Sequence, residues 1–362
     1  MIAGDKKRVM QIVLALLAFL YGVAFLYAFK GLAYAEPSGF PMFYSTGKLA
    51  RFDLPDLYSR TLQNSFHPGN ATVGYFFHLS YEVVLLVPLS YLPQVTAYAV
   101  WSMFSLLCLL GAAIVMRRHF TDFDLLVPFA FIPTLSLLAN GQDSAILVLI
   151  AAFALDQFVR GRDLSAGAVL ALGLFKYPFI VPLVAILCFR YRRVILGFIA
   201  AAVPILGISA LMVGMKGINQ YLALMHTSDV QENPGILSNL RGIVGVTTGS
   251  FHPALVVVLS AVLVALTAFL IKERIPLFCV GVIVTQLVSY HGHIYDAVLL
   301  LIPIAWMYRS KVAYLRWSAL ALIFGPILIV RQEYSYTLAI ALCVILALLW
   351  VPRFPYALTA KS

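Results

Sequence analysis

An all-α fold, a polytopic transmembrane helix bundle of about twelve apolar segments, is what this sequence predicts. Three observations carry the prediction. Hydrophobic residues make up 62% of the 362 residues and charged residues 11%, with a mean hydropathy of +0.95, so the bilayer is expected to be the main solvent. The apolar residues fall into runs separated by short polar breaks. The Lys and Arg residues behind the net charge of +10 cluster in alternate breaks, which is the positive-inside pattern of topology signals rather than a nucleic-acid patch.

Taken in order, the runs predict helices near 9–29, 95–116, 125–139, 144–158, 164–175, 179–189, 194–213, 253–271, 276–288, 297–307, 317–330 and 336–351. The first follows Lys6, Lys7 and Arg8, has no Ala-x-Ala-like site at its end, and is read as an uncleaved helix. Several others fall short of the ~20 residues of a full crossing, which suggests broken or re-entrant pieces. With an inside amino terminus, Arg117-Arg118, Arg160 with Arg162, Arg190 with Arg192-Arg193, Lys272 with Arg274, and Arg309 with Lys311 and Arg316 all become cytoplasmic. The expectation is a single integral-membrane domain over 1–362 in an inner or plasma membrane, with both termini cytoplasmic. For 164–189 the charge rule favours a hairpin breaking at Lys176, and Pro178 disfavours helical geometry at Tyr177.

Two external stretches are long, 31–94 and 214–252. Aromatic and apolar residues in the first, such as Phe43-Tyr44 and Tyr81 to Pro93, predict short interfacial helices. The remaining external tips are short and polar and are expected to line one outward-opening cavity, since irregular backbone at membrane depth must face protein or a cavity. Cys108, Cys188, Cys279 and Cys343 sit in apolar runs with no paired spacing, so no disulfide or structural metal site is expected.

The tips supply the chemistry. Lys176 at a break between apolar segments must be paired, solvated or neutralised; it is read as a phosphate anchor, with a snorkelling lysine as the plain alternative. His291, His293 and Asp296 fall within six residues and suit proton transfer or phosphate contact; their spacing alone is weak grounds for a metal. Asn140, Gln142 and Asp143 could hydrogen-bond sugar hydroxyls or form a plain turn about Gly141. Arg241 and Arg331 can each grip phosphate oxygens, although Glu333 offers Arg331 a simple ion pair. Among the first-loop acids, Glu36, Asp53, Asp56 and Glu82, any could be a general base, and Asp53-Leu54-Pro55-Asp56 looks like turn chemistry.

Several segments, in order along most of the chain, resemble glycosyltransferase family 87: Gly39-Phe40-Pro41-Met42-Phe43-Tyr44 with Gly47 to Ala50, Leu57-Tyr58, Val87-Pro88-Leu89 with Trp101, Gly141-Gln142, Lys176-Tyr177-Pro178, Asn239-Leu240-Arg241-Gly242, and Tyr295-Asp296 ahead of Leu299 to Pro303. The resemblance implies a GT-C-like enzyme that takes a hexose-type sugar from a polyprenyl-phosphate donor and passes it, with inversion, to a lipid or glycan acceptor at the outer face. Membrane lipids are its other implied partners, with no cofactor and no nucleic acid. It also implies Tyr44 in the substrate site and a catalytic Asp in the first external loop. At that Asp position this chain has Gly39, so either Glu36 three residues earlier serves as base, or another acid does, or ordinary transfer is lost. A flippase or transporter of a lipid-linked saccharide, or a noncatalytic membrane partner, are the competing readings.

Overall fold

A computed structural model describes residues 2–33, 39–66, 75–226, 233–310, 312–325 and 334–350. Among these residues the architecture is helical throughout, with one isolated backbone bridge, Leu237 to His293. In chain order the helices are α1 (Ile2–Leu32), α2 (Phe40–Phe52), α3 (Arg60–Ser65), α4 (Val83–Leu86), α5 (Gln94–Arg117), α6 (Val127–Ala130), α7 (Ile132–Asn140), α8 (Ser144–Val159), α9 (Asp163–Ala171), α10 (Tyr177–Cys188), α11 (Arg193–His226), α12 (Leu240–Thr248), α13 (Pro253–Leu270), α14 (Arg274–Val288), α15 (Leu301–Arg309), α16 (Ala313–Phe324) and α17 (Tyr336–Trp350).

Every predicted apolar segment has a helical counterpart among the described residues, which exclude 326–330 of the segment expected at 317–330 and the last residue of that at 336–351. Among the described residues four helical stretches are long and apolar enough to cross a bilayer: Arg8–Leu32, Gln94–Arg117, Arg193–Met225 and Pro253–Leu270. Others, including α8, α14, α16 and α17, are shorter than the ~20 residues a crossing needs. The segment expected at 125–139 is interrupted at Phe131, which is extended and leads into Pro133 of α7. The expected boundary at 213 is a kink at Gly214 rather than an end, so helix continues into the stretch 214–252, which also holds α12.

The pair α9 and α10 is bent by 69° around the turn Leu174–Lys176. Its two open ends lie together: the Phe158 and Tyr191 rings are 4.9 Å apart, and Arg274 pairs with Asp163 at 2.5 Å while stacking 4.1 Å from Tyr191. The segment is therefore a V with Lys176 at its apex. One arm is seated on α11 through two close approaches, where a Cβ on Gly167 would stand 1.9 Å from the Val194 carbonyl oxygen and one on Gly197 would stand 1.9 Å from that of Leu164.

The open end of the V belongs to a basic end of the bundle. There Asp156 meets His119 at 2.9 Å and Arg160 at 3.0 Å, Arg190 donates to the carbonyls of Ala268, Phe269 and Ile271, and Arg309 donates to that of His119. The breaks that the charge pattern grouped together thus converge in space.

The stretch 31–94 holds short helices, but α2 does not lie flat on a surface. Nearly all of it from Phe40 to Ala50 is buried, because it packs on the segment Val83–Tyr91; Gly47 comes so close that a Cβ there would stand 2.6 Å from the Leu86 carbonyl oxygen.

Candidate functional site

Five polar segments meet at the end opposite the basic loops: residues 75–82, the α7–α8 tip, the apex of the V, the start of α12, and 286–296. Each is positioned by local chemistry. Helix α7 stops at Gly141, left-handed at φ 58°, with Gly141 N–H and Gln142 N–H closing on the carbonyls of Leu138 and Leu137. Tyr98 Oη donates to Leu138 O at 2.6 Å and Trp101 Nε1 to Gly141 O at 2.8 Å, fixing this tip from α5. Asn239 caps α12 by accepting from Gly242 N–H, and its amide donates to Ser289 O at 2.8 Å. Ser238 N–H donates to Gly292 O at 2.7 Å, joining the α12 start to 286–296.

Lys176 draws the segments together. Its Nζ is 2.8 Å from Asp143 Oδ1, 2.6 Å from Asp296 Oδ1 and 2.6 Å from Ser144 Oγ, and the Ser144 hydroxyl donates to Asp296 at 2.5 Å. The other Asp296 oxygen accepts from His293 N–H at 3.1 Å, which caps the turn Ile294–Leu300. Such a buried cation persists only with counter-ions in contact, and here it has two.

A second group abuts the first through Asp143. His78 Nδ1 lies 2.5 Å from Glu82 Oε2 and 3.1 Å from Asp143 Oδ2. Burial works against the His78 cation, but the Glu82 and Asp143 carboxylates outweigh it and hold the imidazole up to about 10. Burial pushes the Glu82 carboxyl up to about 7 despite the opposing pull of His78. An imidazole and two carboxylates in this arrangement can exchange a proton or hold a cation.

Of the residues singled out in the sequence, Asp143, Lys176 and Asp296 form one ion-paired network. His291 stacks at 6.1 Å on Phe77, and His293 at 5.0 Å on Tyr295. Arg241 is buried between the rings of Phe251 and Tyr290, 4.1 and 4.2 Å from their centres. Gln142 is buried in the same tip, and Asn140 turns its amide back onto Ser136 O at 2.8 Å. Tyr44 donates to Leu92 O at 2.7 Å on the α2 side. Glu36 and Arg331 lie outside the described residues.

Sequence reasoning passed over His78 and Ser144 and left Glu82 as one acid among several. The available signal was the four-residue separation of His78 and Glu82, and the need of a membrane-depth lysine for more than one carboxylate. Gly39 gains a physical reason: φ is 156°, and a Cβ would stand 2.5 Å from the Asn140 carbonyl oxygen. No carboxylate side chain fits there.

A family model described as glycosyltransferase family 87 matches residues 82–289, more than half of the chain. The match holds Glu82, Asn140, Gln142, Asp143, Lys176 and Arg241, and stops short of His291, His293 and Asp296. No curated protein and no solved structure matches the chain.

Proposed function

This chain belongs to glycosyltransferase family 87, and from that premise we propose that it moves a hexose-type sugar from a polyprenyl-phosphate donor to a lipid or glycan acceptor at the outer face of the membrane, inverting the anomeric carbon on a GT-C-like scaffold. The observation that carries the reading is the convergence of the polar segments at the end of an apolar bundle remote from its basic loops. A lipid-linked donor explains why such groups are gathered within a membrane protein. Both termini are then cytoplasmic, and a cysteine placed at residue 229 is labelled from outside; labelling only from the cytoplasm reverses the orientation.

An inverting transfer needs a base for the acceptor hydroxyl and positive charge or donors for the departing phosphate. Arg241, His291 and His293 serve the phosphate in this reading. Lys176, committed to Asp143 and Asp296, braces the segments that present them, while Asn140 and Gln142 orient the sugar. Glu36 is the base, three residues ahead of the glycine that leaves no room for one.

Reconstituted protein given a labelled polyprenyl-phosphate hexose and acceptor lipids tests the assignment. Glu36→Gln keeps the shape and removes the base, so transfer falls by about 10²–10⁴-fold while donor binding persists. Near-normal transfer by that variant removes Glu36 and passes the role to Glu82, Asp53, Asp56 or Asp296. Absence of transfer by the parent protein with every polyprenyl-phosphate hexose supplied counts against the enzyme reading itself.

A further inference from the structure

We propose that His78, Glu82 and Asp143 form a binding site for one divalent cation. The three side chains offer one nitrogen and two carboxylate oxygens, all within 4.8 Å of one another. Nδ1 of an imidazole carries at most one proton, yet here it faces two carboxylates, Glu82 Oε2 at 2.5 Å and Asp143 Oδ2 at 3.1 Å. One proton cannot make two good hydrogen bonds at once. A metal ion bonded at ~2.0–2.2 Å to each atom sets neighbouring ligands about 3 Å apart, close to the separations found.

A second, independent observation points the same way. Among the described residues Glu82 Oε1 is buried with no hydrogen-bond partner, while each oxygen of the fully buried Asp143 meets one cationic partner and no other donor. Lys176 Nζ stands 2.8 Å from Asp143 Oδ1, which leaves Oδ2 turned to His78. A buried carboxylate oxygen with no partner, as Glu82 Oε1 is here, is costly unless an ion or water serves it.

Charge leads to the same ligand. With all three ionised, the carboxylates of Glu82, Asp143 and Asp296 outnumber the cations of this buried cluster, Lys176 and the His78 imidazolium, by one. A dication that takes the place of the His78 proton brings the cluster to neutrality, and Asp143 then bridges it to Lys176 as an outer partner that orients the ligand. One nitrogen with two carboxylates suits Mn²⁺ or Zn²⁺ better than a hard all-oxygen ion such as Ca²⁺. Bound there, the ion ties residues 78–82 to the α7–α8 tip. The inference concerns binding alone and stands whether or not the chain transfers sugar.

The test is a direct titration of chelator-stripped, tag-free full-length protein in detergent, following free Mn²⁺ by its paramagnetic resonance and Zn²⁺ by a competing chromophoric chelator. One saturable site per chain is expected. Glu82→Gln and Asp143→Asn each weaken it at least about tenfold, while Asp56→Asn, which removes a carboxylate of the same external stretch, leaves it unchanged. Absence of saturable binding of either ion by the wild-type protein overturns the proposal, and so does binding undiminished in both ligand variants. The wild-type titration decides the matter even where a variant does not fold.

Discussion

The two ends of this bundle use the same residue types under different physical conditions. At the basic end the cations reach water while their acids are covered: the Arg160 side chain is 45% exposed on an Asp156 at 3%, and that of Arg274 is 30% exposed on an Asp163 at 12%. At the polar end the Lys176 side chain is 9% exposed, with Asp143 and Asp296 at 0% and 2%. Exposed pairs are screened and contribute ~0–1 kcal/mol each. Buried pairs gain little over an apolar core when whole, but losing one partner costs ~3–5 kcal/mol. Charges at the first end, whose cations remain partly hydrated, can therefore be changed at smaller cost. Those at the second end permit one arrangement.

The contrast breaks first at Lys176. Lys176→Met strands Asp143 and Asp296, so unfolding in detergent is expected to come ~3–5 kcal/mol earlier. Adding Asp143→Asn and Asp296→Asn to it recovers part of that loss. A single variant as stable as the parent would abolish the distinction between the ends. Gly39→Ala comes next, because its Cβ meets the Asn140 carbonyl oxygen at 2.5 Å from a backbone at φ 156°; a loss of about 1–3 kcal/mol is expected in the same assay. At the basic end Arg274→Lys retains charge but gives up the fork on Asp163 and the faces of Phe158 and Tyr191, for about 1 kcal/mol.

The smallest effect is a pH effect. Hydrogen bonds from Lys216 at 2.5 Å and Gln220 at 2.6 Å hold the Asp56 carboxyl below its usual range. A depressed folded value means stabilisation that is present above the unfolded pKa of about 4 and lost as pH falls through the folded value. Asp56→Asn should flatten the acid limb of the stability curve slightly, because Lys216 is largely exposed. An unchanged acid limb would remove this pair from the accounting.

Much of this contrast is legible in the sequence. Length of apolar run, alternation of basic breaks and the proline after Tyr177 are local properties, and they located the helices, the basic end and the apex of the V. Lys176 and Asp296 stood out because ionisable groups among apolar residues are conspicuous. The partnership of His78 with Asp143 did not, since nothing local links residues 65 positions apart. Gly39 was visible only as a missing acid, and its cause is the backbone of Asn140, about a hundred residues away. Burial of α2 was also hidden, because a helix of mixed polarity suits an interface as well as a crevice.

The paired glycines Gly167 and Gly197 have a mechanical meaning. Backbone seated on backbone has no side chain to rotate away, so α9 and the start of α11 behave as one strut and cannot slide past each other. Any opening of the bundle must spare this joint. Compliance then falls to pieces held through side chains, such as the segment 75–82, whose contact with the α7–α8 tip runs through His78 and Asp143. The joint of α9 with α11 is the stiffest part of the frame.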